Sequence, residues 1–229
     1  MFEPGIEYIG TRHVKVSNDL SLAVFWEYGE WFKDELVVIL GGGPSHVEFD
    51  PKLLKDVSFI AVNSSCRWVR GVAKKTDLLY FNDNSWNERF PELVETWPGV
   101  SVTSNRHVKA RVGDLVERLD IFALTEFMSR MSDYVQASSG HTAACLAAHM
   151  GAKVIVLIGF EAGVVNGRTH GHNDYAQMET NSYENRFVPG WKGLRTRFEE
   201  LGIKVINSTP NSKILDFPFM PLEEVLVYA

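Results

Sequence analysis

One loop concentrates side chains able to move a proton or hold an ion: Gly167-Arg168-Thr169-His170-Gly171-His172-Asn173-Asp174-Tyr175. His170 or His172 is suited to act as a general base near neutral pH, with Asp174 orienting the imidazole. Alternatively, His170, His172 and Asp174 together suit a divalent metal. A His-x-His pair in a solvated, glycine-flanked loop is the plain reading of the same residues. Two carboxylates, Asp83 and Glu161, follow apolar runs, where each could hold a magnesium ion bridging phosphates. Their ordinary alternative is turn or helix-cap duty.

A second feature is Leu36-Val37-Val38-Ile39-Leu40 running straight into Gly41-Gly42-Gly43-Pro44-Ser45. The apolar run reads as a strand buried on both faces, and the glycines as a sharp turn open to close approach by a ligand. This loop is expected to aim free backbone amides at an anion such as a phosphate. It matches neither standard nucleotide fingerprint. No Lys-Ser/Thr pair follows, and His46 stands where a third glycine of G-x-G-x-x-G would fall.

The elements that must position these groups alternate strand and helix from Leu36 onward. Phe59–Val62, Leu78–Phe81, Val100–Val102, Val154–Ile158 and Lys204–Ile206 read as strands. Helices are expected over Pro51–Leu54, Val108–Leu119, His141–Met150 and Trp191–Leu201. The fold class is therefore α/β: a Rossmann-like three-layer α/β/α arrangement around a mostly parallel sheet. Ligands of such sheets lie outside the carboxyl ends of the strands. Six of those ends carry small polar residues: Gly41–Ser45, Asn63–Ser64, Asn82–Asp83, Ser104–Asn105, Gly159–Glu161 and Asn207–Asn211. Residues 1–34 break the rhythm and suggest a small β appendage, as part of the same domain or an edge piece. Residues 35–229 are expected to form one Rossmann-like domain with a nucleotide-binding rim.

Composition bounds the rest. Acidic residues outnumber basic ones, 29 to 23, a net charge of −6 that argues against a broad nucleic-acid surface. No apolar run spans a membrane, and Met1–Gly10 lacks a signal layout, so a cytoplasmic protein is expected. Cys66 and Cys145 read as free thiols, and Trp86 and Trp191 as packing anchors. His141 reads either as a ligand contact or as a first-turn residue. Asp77 reads as structural, while His13, His46, His107 and His149 have no evident partners in sequence. Arg111, Arg118 and Arg130 read as solvated helix charges. The segment Phe25-Trp26 to Trp31-Phe32 offers either an apolar surface for homo-oligomerisation or internal core.

Gly41-Gly42-Gly43-Pro44-Ser45, Val62-Asn63, Phe81-Asn82-Asp83, Ser138-Ser139-Gly140, Phe160-Glu161 and Thr209-Pro210-Asn211-Ser212 together resemble the bacterial sialyltransferases that use a CMP-activated sugar. The same order is similar to the archaeal MptE-like pterin pyrophosphokinases. It also resembles phage and prophage proteins of that superfamily, sometimes labelled morphogenetic, in the Asp77-to-Trp86 stretch and the closing Phe217-Pro218-x-Met220-Pro221-Leu222-Glu223-Glu224. The resemblance spans residues 36 to 226. It implies that Gly41, Gly42, Gly43 and Ser45 face nucleotide phosphates, and that Asn63 and Asn82 bond phosphate or sugar. Ser104 and Asn105 belong to the same rim. By the same resemblance Ser139 and Gly140 hold the ribose or base, and Asn211 and Ser212 close the base pocket. One departure is plain: the histidine that serves the sialyltransferases as base is missing from Glu184-Asn185-Arg186-Phe187-Val188-Pro189-Gly190. Tyr175 and Tyr183 are loose counterparts of the tyrosines that steady the leaving phosphate.

The expectation is a phage- or prophage-encoded transferase of glycosyltransferase type, taking a CMP-like nucleotide or nucleotide sugar and an acceptor the sequence does not name. A rival reading is diphosphate transfer from ATP with Mg at Asp83 or Glu161. A third is a phage morphogenetic protein that keeps the fold without catalysis.

Overall fold

The computed structural model describes residues 11–16, 22–105, 115–175 and 182–227. Seven parallel strands form one sheet: β3 (Leu36–Leu40), β4 (Ser58–Val62), β5 (Leu78–Phe81), β6 (Val100–Thr103), β7 (Val116–Arg118), β8 (Val154–Ile158) and β9 (Lys204–Asn207). Their spatial order is β7-β6-β5-β4-β3-β8-β9. The chain winds outward from β3 in one direction to β7, then returns to the other side of β3 with β8. The order therefore reverses between β3 and β8, and that switch point is where an open α/β sheet leaves a crevice. β1 (Thr11–Val16) and β2 (Leu22–Glu27) make a separate antiparallel pair with Thr11 opposite Glu27, as the sequence suggested.

Alternation along the strands explains the layers. Val37 and Ile39 of β3, with Ile155 and Leu157 of β8, face one core, whereas Val38, Leu40, Val156 and Ile158 face the other. The second face is covered by α1 (Cys66–Val69), α2 (Asn84–Arg89), α3 (Pro91–Glu95) and, from the far end of the chain, α8 (Leu222–Val227). The first face takes α4 (Ile121–Phe127), α5 (Ser132–Val135), α6 (Ser139–His149) and α7 (Val188–Glu200). Every residue of α6 from Gly140 to Ala148 is buried. Its run of alanines and Cys145 keeps the helix thin enough to lie in the core, with its N-terminus at the switch point. Helix α7 is preceded by a single π-turn, Tyr183–Phe187.

Three expectations change. Val116–Arg118 pairs with β6 as an edge strand instead of continuing a helix from Val108, so Arg118 is not a helix charge. Residues 108–114, like His107 and Arg111, lie outside the described residues. Trp26 and Phe32 are core, which removes them from any association surface. Arg130 follows α4 with φ 61°, outside any helix. Among the described residues, no helix is long and apolar enough to cross a membrane. Both cysteines are free and buried, and burial pushes the Cys66 thiol up to about 12.

Candidate functional site

A cavity of about 300 Å³ opens at the switch point. Its walls come from the exits of β3, β4, β5 and β8, from the N-terminus of α6, from the histidine loop and from the start of α7. Gly41, Gly42, Gly43, Asn63, Asp83, Ser139, Gly140, Glu161, His170 and His172, all expected in the site, line it. Ser45, Asn82, Ser104, Asn105, Asp174, Asn211 and Ser212 do not.

The glycine loop does a different job from the one its composition suggested. The N–H of Gly41 donates to the Ile158 carbonyl (2.8 Å), that of Gly43 to the Gly159 carbonyl (2.9 Å), and that of Ser45 to Glu161 Oε1. These three amides are thus already engaged by the exit of β8 and are not free for a ligand. The glycines exist because the two exits cross at contact distance. A Cβ on Gly41 or on Gly43 would stand 2.6 Å from the Gly159 carbonyl oxygen, and Gly159 itself has φ +73°. Only Gly42 faces the histidine loop: its Cβ would meet His172 Nε2 at 3.0 Å.

Glu161 is buried, and among the described residues its Oε2 has no hydrogen-bond partner. Burial pushes its carboxyl above the usual range, against the opposing pull of Ser45. Asp83 takes up the cap role: its Oδ1 accepts from Ser85 N–H and Ser85 Oγ–H at 2.9 Å each, opening α2. Among the described residues, no three His, Cys, Asp or Glu side chains cluster so as to hold a metal ion. Asn82, Ser104 and Asn105 bond to one another instead of to the cavity, Ser104 Oγ donating to Asn82 Oδ1 at 2.8 Å. Asn63 does line the cavity, in a left-handed conformation (φ 52°), and its buried Oδ1 has no partner among the described residues. Ser212 Oγ donates to the Phe160 carbonyl (2.6 Å), bracing the exit of β8.

A further set of amides at this rim belongs to the first turn of α6. Ser138 precedes the helix but its side chain makes no cap, so the first-turn N–H groups lack the usual side-chain partner. They open onto the cavity with the positive end of the helix dipole behind them. Gly140 leaves no room for more: a Cβ there would stand 2.4 Å from the Phe160 ring. His141 is fully buried against Trp191, with ring centroids 4.2 Å apart. Burial drives its pKa down to about 3, so it stays neutral.

The histidine loop lines the same cavity, held to the glycine loop by Gly171 N–H donating to the Gly42 carbonyl at 3.0 Å. The rings of His170 and His172 are 5.3 Å apart, and Tyr175 is 5.4 and 5.5 Å from them. His46, which showed no partner in the sequence, belongs here too. It donates from Nδ1 to the Gly43 carbonyl (2.7 Å), and its ring lies 6.1 Å from that of His172. Burial lowers the pKa of all three imidazoles, that of His172 to about 4 with added repulsion from His170.

Asp174 orients His172, but through its backbone. Its N–H donates to His172 Nδ1 (3.3 Å), while its carboxylate pairs with Arg67 (3.2 Å) and its carbonyl accepts from Arg89 (2.7 Å). With Nδ1 accepting, neutral His172 carries its proton on Nε2, beside Gly42. His172 is thereby a donor toward the cavity, not a base. His170 differs: its Nδ1 contacts Thr169 Oγ1 at 3.0 Å, which leaves the Nε2 edge for the cavity.

No family model matches the chain, and no curated protein does either. Solved structures do share its fold. The sialyltransferase CstII from Campylobacter jejuni, solved in complex with the substrate analogue cytidine-5′-monophosphate, is similar with a TM-score of 0.53 at 17% identity, over 82% of this chain and 85% of that one. The MAf glycosyltransferase from Magnetospirillum magneticum AMB-1 is similar with a TM-score of 0.57 at 15% identity. That match covers 83% of this chain and 34% of the much longer transferase.

Proposed function

We propose that the chain is a nucleotide-sugar-dependent glycosyltransferase whose donor nucleotide is of the cytidine monophosphate type. The observation that carries this reading is the uncapped N-terminus of α6 at the switch point, lining one cavity together with His170 and His172. The phosphate of the donor sits on the amides of Ser139 and Gly140, and His172 Nε2–H donates to it. In this reading His170 holds its proton on Nδ1, donates a hydrogen bond to Thr169 Oγ1, and with the Nε2 lone pair takes the proton of the attacking acceptor hydroxyl. Asn63 Oδ1 and Tyr175 OH, both buried without partners among the described residues, receive polar groups of the ligand. The shared fold with CstII, whose structure contains a cytidine nucleotide, supports the choice of base.

A thermal-shift series with CMP, CDP, UDP, GDP, ATP and CMP-sialic acid, each with and without magnesium, tests this. At about a hundredfold excess over Kd, CMP or the CMP-sugar is expected to raise the Tm by about 5–10 °C. The shift is expected to be the same without magnesium and to persist in Asp83→Asn and Glu161→Gln, since Asn preserves the cap. A shift from ATP alone, dependent on magnesium and lost in those variants, would favour diphosphate transfer instead. No shift from any nucleotide would leave the reading of a phage accessory protein that keeps the fold without its chemistry.

A further inference from the structure

Ser138 stands directly before α6 in an extended conformation (φ −153°, ψ 168°), where a serine hydroxyl ordinarily accepts from a first-turn amide. Here the hydroxyl lies instead 2.7 Å from Nδ1 of His141. The direction of that bond follows from the other ring nitrogen. His141 Nε2 is 2.9 Å from the carbonyl oxygen of Phe187, which can only accept, so Nε2 carries a hydrogen. The ring has no exposed surface, and its place is kept by Gly190, whose Cβ would come within 2.7 Å of Nε2. Because burial holds the ring neutral, Nδ1 retains a lone pair, and the Ser138 hydroxyl satisfies it by donating.

The proton of Ser138 is therefore turned inward, and its remaining lone pairs are left for the cavity that Ser138 lines. A freely rotating serine would serve either a donor or an acceptor; this one serves only a donor. We propose that Ser138 Oγ, set by the Phe187–His141 pair, accepts a hydrogen bond from an uncharged O–H or N–H of the bound nucleoside. Ser138 is thus a specificity-determining residue that selects ligands carrying that donor. The proposal rests on the nucleotide site described above and adds what that site reads beside the phosphate. The amides that take the phosphate begin one residue after Ser138, and the nucleoside donors nearest a 5′-phosphate are the ribose hydroxyls. The exocyclic amine of cytosine is the other source of the same chemistry. Asn63 Oδ1 and Glu161 Oε2, buried on the same cavity without partners among the described residues, make its lining rich in acceptors. A locked acceptor discriminates strongly because an analogue lacking the donor leaves it unpaired and out of water.

Calorimetric titration of CMP, 2′-deoxy-CMP, 3′-deoxy-CMP and UMP into the wild type, S138A and S138T tests this. The wild type is expected to bind one analogue about tenfold more weakly than CMP. S138A should bind CMP about tenfold more weakly than the wild type does and no longer distinguish that analogue from CMP. S138T, which keeps a hydroxyl, should restore the distinction. Loss with a deoxy analogue assigns the donor to the ribose, and loss with UMP assigns it to the base; either supports the proposal. Equal discrimination by wild type and S138A would overturn it while leaving the nucleotide site standing. Failure of folded wild type to bind any of the four would overturn both.

Discussion

Replacing His170 with glutamine is expected to lower the rate of glycosyl transfer about 10²–10⁴-fold, with CMP affinity within about twofold of wild type. The asymmetry between the two loop histidines produces this expectation. His172 has its Nδ1 filled by the Asp174 N–H, so its neutral form offers only a proton, from Nε2. His170 can hold its proton on Nδ1 toward Thr169 and present a lone pair. His172→Gln is expected to act on binding, raising the KM for the nucleotide donor far more than it lowers kcat. The pH profile separates the roles further. Burial lowers the pKa of His170 from 6.5, so the base remains unprotonated as the solution is acidified past that value. The acid limb of kcat/KM should therefore lie below pH 6.5 and vanish in the residual activity of His170→Gln. Steady-state kinetics with a CMP-sugar donor, assayed from pH 4 to 8, checks both points. Full activity in His170→Gln with loss in His172→Gln would reverse the assignment.

Gly41→Ala is expected to destabilise the fold by about 1–3 kcal/mol, because the new methyl meets a backbone oxygen that cannot step aside. The Gly159 carbonyl lies 2.6 Å from where that Cβ would be, and Gly159 is bonded in turn to Gly43 N–H. Gly42→Ala meets only the tip of His172, at 3.0 Å, and a side chain can turn away. That variant should fold with near-native stability and lose nucleotide affinity by about tenfold, because His172 Nε2–H is displaced from its donor position. Urea unfolding followed by CMP titration distinguishes the two. A phosphate-cradling loop of the kind its composition suggests would give the opposite pattern: stable folding in Gly41→Ala with binding lost.

Much of this architecture is legible in the sequence, and the failures have physical causes. Strands β3, β4, β5 and β8 stand out because they are buried on both faces and read as near-continuous apolar runs. The apolar spacing of the segment ending at Leu119 suits a helix, yet its last residues form a strand. What decides its end is pairing of Val116–Arg118 with β6, a tertiary choice that local pattern does not contain. The glycine loop was recognised as special for a reason that proved different. Its partners for the Gly41, Gly43 and Ser45 amides all come from the exit of β8, far along the chain. His46 was invisible for the same reason, since its neighbour His172 arrives from another loop. Asp174 meets His172 through a backbone N–H while its carboxylate turns to Arg67, an arrangement that no side-chain reading of His170, His172 and Asp174 foresees. Ser138 and Ser139 were legible as a helix start; that the Ser138 hydroxyl would turn to His141 instead of capping was not.

The most direct measurement is the amide spectrum of the uniformly ¹⁵N-labelled protein as CMP is added. With the phosphate on α6, the N–H signals of Ser139, Gly140 and His141 should move together and saturate with one Kd, along with Nε2–H of His172. The N–H of Ser45, already bonded to Glu161, should shift far less. Shifts led by Gly43 and Ser45 with α6 unmoved, or no saturable shift at all, would contradict this placement.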